Sequence, residues 1–198
     1  MIFARDNFAA DHGVFTKFNV LETAVFAYHN GYLQIDNSGA AGVAFDNVGL
    51  VENAPHVIDI GDTWLMEFAF RTYTNEGAAS SNSTFMKIGL QLDKPTVTME
   101  REYYGLYIES VPKLDNGGAT SNPQAPLIVD RRYFVLINAQ ADNTLAVFLV
   151  PKGNPLHASF VGSIPGPFLG RSARMVVNLA SKDVVRLYEF RGFDGLGF

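Results

Sequence analysis

The chain has 198 residues, 47% hydrophobic and 18% charged, with sixteen Phe, eight Tyr and no cysteine. That balance suits one globular domain with a sizeable core, and it excludes disulfides, thiolate metal sites and a cysteine nucleophile. A net charge of −5, with bases that never gather into a stripe, argues against nucleic acid and against an anionic membrane surface as partners.

The opening MIFARDNF lacks the basic start and long apolar run of a secretory signal, and no apolar run approaches the roughly 18 residues of a membrane span. The expectation is a protein made in the cytoplasm, without membrane insertion. Asn82-Ser83-Thr84 matches a glycosylation pattern that has no use without secretion. Period-2 alternation then recurs along the chain. Strands are expected over 2–8, 14–19, 23–28, 31–36, 42–47, 56–60, 63–73, 84–93, 96–100, 102–110, 126–130, 132–140, 143–151, 157–161, 172–179 and 183–191. Turn residues separate them, as in His29-Asn30-Gly31, Asn37-Ser38-Gly39, Asp142-Asn143 and Lys152-Gly153-Asn154-Pro155. One short helical turn fits near 10–14 and another near 49–54. The segments 74–83 and 112–126 read as long polar loops. Many short strands with regular punctuation make an all-β, two-sheet sandwich or a barrel, with 1–198 as one domain.

Strand parity sorts the side chains. On 63–73, Trp64, Met66, Phe68 and Phe70 point to a core, while Leu65, Glu67, Ala69 and Arg71 point away. On 84–92 the outward set is Phe85, Lys87, Gly89 and Gln91; on 102–109 it is Tyr103, Gly105, Tyr107 and Glu109. Glu67 and Arg71 stand ~13 Å apart along one strand and so need partners elsewhere, with Lys87 and Glu109 as candidates. Two readings of this mixed face compete. It is an ordinary solvated or subunit-packed surface, or it is a sugar-binding groove in which Tyr103 and Tyr107 stack on the ring while Glu67, Arg71, Lys87, Gln91 and Glu109 meet its hydroxyls.

Asp6-Asn7-Phe8, then Asn30-Gly31-Tyr32-Leu33-Gln34-Ile35, then Trp64 to Arg71, and finally Asp183-Val184-Val185-Arg186-Leu187-Tyr188 together resemble the strand motifs of concanavalin A-like (laminin G-like) jelly rolls. The resemblance implies an antiparallel jelly-roll sandwich whose first and last strands lie side by side. It also implies that loop oxygens such as those of Asp6, Asn7, Asp11, Asp36, Asp46, Asp115 and Asn116 could hold a structural calcium. The same residues serve turns for backbone reasons alone, so no cofactor is expected. The glucanases of this superfamily carry a pattern similar to E-x-D-x-x-E. Here Glu100 and Glu102 match it loosely and Gly105 replaces its third carboxylate, which speaks against hydrolysis. The expected function is therefore a non-catalytic attachment module, by analogy a phage virion decoration or fibre component, whose partners are glycans or neighbouring subunits, homo-oligomers included. A free-standing carbohydrate-binding protein is the alternative.

Overall fold

Aromatic and β-branched residues in alternation favour the pleated, half-buried surface of a sheet, and the computed structural model of the chain is built from strands almost throughout. It describes residues 1–19, 24–39, 48–72, 85–92 and 103–195. The strands are β1 Ile2–Asp6, β2 Phe15–Asn19, β3 Val25–His29, β4 Tyr32–Asp36, β5 Val48–Glu52, β6 His56–Val57, β7 Thr63–Thr72 and β8 Phe85–Leu92. They continue as β9 Tyr103–Glu109, β10 Val111–Asn116, β11 Ala119–Ser121, β12 Tyr133–Ala139, β13 Thr144–Pro151, β14 Ser159–Pro165, β15 Ser172–Leu179 and β16 Val184–Phe193. A 3₁₀ turn, Pro155–His157, follows the Lys152–Asn154 bend.

Two antiparallel sheets face one another. The first runs β14-β13-β12-β7-β16-β4-β3, with β1 also on β16; the second runs β11-β10-β9-β8-β15-β5-β2, with β6 also on β15. This is the expected all-β jelly-roll sandwich. Its ends are tied together, because Asp6 pairs with Phe190 and Ile2 with Phe193. Between the sheets lie Trp64, Met66, Phe68, Phe70, Val135, Ile137, Leu187 and Phe190 from the first, and Leu50, Met86, Ile88, Leu90, Leu106, Ile108, Met175 and Val177 from the second. Each such side chain contributes roughly 1.5–3 kcal/mol by leaving water. Trp64, at 0% exposure, is a core residue, as its phase with Met66 and Phe68 requires.

Three local expectations are corrected. The segment 49–54 holds no helical turn, because Val48–Glu52 is the strand between β2 and β15. The segment 126–130 is not a strand. Pro126 has no N–H to give, the Ile128 N–H goes to the Tyr133 hydroxyl at 3.0 Å, and Asp130 sits at φ +59°. The polar run 112–126 is not one loop, because it contains β10 and β11 joined by Gly117 and Gly118 at φ +63° and +108°. The strands expected over 42–47 and 96–100 and the loop 74–83 lie outside the described residues.

Candidate functional site

The seven candidate residues do not share one surface. Glu67 and Arg71 project from the outer face of the first sheet, while Lys87, Gln91, Tyr103, Tyr107 and Glu109 project from the outer face of the second, on the far side of the core. Parity is right within each strand; the combination across strands is not.

On the first sheet Glu67 is 2% exposed, which corrects the expectation that it offers a contact surface. It is not in the core. Arg132, just before β12, and Lys152, just after β13, close over it, with Lys152 Nζ 2.8 Å from Oε1 and 3.1 Å from Oε2. Arg132 in turn lies 3.7 Å from the centre of the Tyr188 ring. Glu67 therefore serves as the buried anion of an ion cluster. Arg71 reaches Asp130 at 2.7 Å, both residues being largely exposed. Neither has Lys87 or Glu109 as its partner.

On the second sheet the register of β8 with β9 sets Lys87 beside Tyr107, Gly89 beside Gly105 and Gln91 beside Tyr103. The two glycines permit a close backbone approach. A Cβ on Gly89 would sit 2.8 Å from the Tyr104 carbonyl oxygen, and one on Gly105 2.5 Å from that of Ile88. Gly89 and Gly105 are themselves buried between Lys87 and Tyr107 on one side and Gln91 and Tyr103, 2% and 1% exposed, on the other. Lys87 Nζ is held at 2.9 Å by Asp115 of β10, and it lies 5.1 Å from the Tyr103 ring centre and 5.4 Å from that of Tyr107. Glu109 accepts from Lys113 at 2.8 Å. Asn178 of β15 stands opposite Lys87.

Exposure separates the tyrosines. Tyr103 is 1% exposed, so its ring has no free stacking face; burial pushes its phenol pKa up, with the nearby Asn178 side chain opposing and the Asp115 charge adding. Tyr107 is half-buried, and burial, then the charges of Glu109 and Asp115, raise its phenol well above the ordinary value. Both phenols are neutral donors at physiological pH. Parity alone missed Asp115 and Asn178. Asp115 was hidden in the supposed loop, and Asn178 becomes visible once β15 is given the parity of its neighbours.

The oxygen donors suggested for calcium accept main-chain N–H groups in local turns. Asp6 Oδ1 accepts the Phe8 N–H at 2.8 Å, Asn7 that of Ala9 at 3.1 Å, Asp11 that of Gly13 at 3.1 Å and Asp36 that of Ser38 at 3.0 Å. Asp115 is neutralised by Lys87. Asp6, Asn7 and Asp11 share the β1–β2 connection and Asp36 ends β4; among the described residues no three His, Asp or Glu gather as metal ligands. Asp46, Glu100 and Glu102 lie outside the described residues.

The sandwich is the concanavalin A-like jelly roll. Among solved structures, the chain is similar to peanut lectin in complex with a nine-residue peptide (TM-score 0.63, 8% identity, 96% of this chain and 95% of that one). It is similar to a carbohydrate recognition domain of Emp46p in mutant form (0.61, 11%, 96% and 95%). It also matches the exoplasmic/lumenal domain of VIP36 bound to Ca²⁺ and Man3GlcNAc (0.60, 8%, 94% and 85%). No family model and no curated protein matches the sequence. Identities this low carry the fold and nothing finer.

Proposed function

We propose that the chain is a non-catalytic glycan-binding module that works through the outer face of its second sheet. The observation that carries this reading is the lysine between two tyrosines. Lys87 is fixed by Asp115, with the half-buried Tyr107 ring and the Glu109–Lys113 pair beside it. A sugar ring can lay its C–H face on Tyr107 while its hydroxyls meet Lys87, Glu109 and Lys113. The sugar-bound VIP36 structure supports starting with mannose oligosaccharides. On a glycan array the intact chain should be retained, and Tyr107→Ala should lose retention while keeping its melting temperature within a few degrees. Absence of retention on every glycan would remove the proposal.

A second reading, docking onto neighbouring subunits of a larger particle such as a phage virion, is favoured by exposed apolar residues. Ile128, Leu156 and Phe160 are 56, 95 and 57% exposed, and Ile128 lines a cleft of about 330 Å³ with Tyr133, Leu149 and Pro151. Sedimentation of the purified chain, alone and with particle proteins, tests it; a monomer that ignores them rejects it.

A further inference from the structure

Glu52 belongs to neither outer face. It follows Val48 and Leu50 in phase on β5, so its side chain turns inward at the end of the sandwich where β1, β5 and β6 meet. It is 2% exposed. Its Oε2 accepts the Met175 N–H at 2.9 Å, and its Oε1 has no hydrogen-bond partner among the described residues. The residue lines a cleft of about 310 Å³, together with Phe3, Arg5, Asn53, Pro55 and His56.

The charged groups around this carboxyl are committed elsewhere. Arg174 of β15 donates to the main-chain oxygens of Glu52 and Asn53. Arg5 of β1 is 59% exposed and drawn toward Glu189 at 3.9 Å. His56 of β6 is held through Nε2 by Asp62 at 2.8 Å. Burial pushes the Glu52 pKa up to about 7, against the pull of the Met175 N–H and the Arg174 charge. An anion stripped of water needs either a proton or a partner that brings both charge and hydrogen-bond donors. An ammonium group brings a charge and three donors. The wall beside it suits a carbon chain, since the Phe3 ring stacks on His56 at 3.6 Å and Pro55 adds apolar surface.

We propose that this cleft is a binding site for an organic ammonium, whose nitrogen donates to Glu52 Oε1 while its carbon skeleton lies along the Phe3–His56 wall. The site is independent of the glycan-binding reading, since it lies inside the end of the sandwich and shares no residue with the second sheet's outer face.

Amide NMR on the full chain tests it, with n-butylammonium chloride as probe and n-butanol as its neutral counterpart. At pH 8 the ammonium should shift the Met175 and His56 amides saturably, and butanol should not. Apparent affinity should be about tenfold weaker at pH 6, because the ionised fraction of a group with pKa about 7 falls from about nine-tenths to about one-tenth. Glu52→Gln, which keeps an acceptor for Met175, should lose the saturable response. The absence of a saturable shift at pH 8, an equal response to butanol, or an undiminished response in Glu52→Gln would overturn the proposal and leave Glu52 a neutral core acid. If that variant fails to fold, the two probes at two pH values decide on the wild-type chain alone.

Discussion

Glu67 and Glu52 are both 2% exposed carboxylates, and their surroundings make them opposites. Glu67 has two cations, Arg132 and Lys152, whose side chains are 36 and 42% exposed. Removing the acid sends those bases to water, whereas removing the bases strands a buried charge. Glu67→Gln should therefore cost less than about 1.5 kcal/mol, and the double change Arg132→Ala with Lys152→Ala about 3–5 kcal/mol, in urea unfolding. Glu52 has no such cation. Its folded pKa, about 7 against an ordinary 4.5, means that the folded state keeps its proton longer than the unfolded one. The stability this provides is complete below about pH 4.5, declines as pH rises and is gone above about 7, to an upper bound of about 3 kcal/mol. Glu52→Gln should flatten that decline, so the variant gains on wild type as the pH of the thermal melt moves from 5 to 8.

Among the elements, the β10–β11 hairpin shows what parity can and cannot deliver. Asn116-Gly117-Gly118 between two alternating runs is a hairpin signal, with both glycines at positive φ as the tight turn demands. Pro112 and the surrounding Gly, Asn and Ser content made the segment read as loop. Gly118 at φ +108° meets no neighbouring atom, so Gly118→Ala should cost about 1–3 kcal/mol through backbone strain alone, measurable as a lowered urea midpoint at unchanged slope. Strand existence and facing were legible for β7, β8 and β9, because long stretches alternate oil and polar residues, whereas on β16 a bulge between Leu187 and Glu189 breaks the alternation. Which strands neighbour which was not legible, since the ladder partners of Lys87 come from β9 and β15, and β15 lies about ninety residues on. The candidate site was accordingly half readable: Lys87, Gln91, Tyr103, Tyr107 and Glu109 do assemble, while Glu67 and Arg71 were joined to them across a core that parity cannot see.

For the molecule as a whole, two outer faces separated by one core should behave as independent units. Arg71→Ala, on the first sheet, should leave glycan retention unchanged where Tyr107→Ala abolishes it, and loss of retention in both variants would mean that the faces are coupled. The pairing of β1 with β16 has a mechanical consequence as well. Met1 and Asp194 meet in an ion pair at 3.2 Å, and both ends of the described chain leave the ladder side by side. A load pulling them apart would open β1 from β16 like a zipper, bond after bond, instead of shearing all its bonds together. Tethered by these two ends, the sandwich would peel at low force; held by one end, it would bear tension without loading that seam.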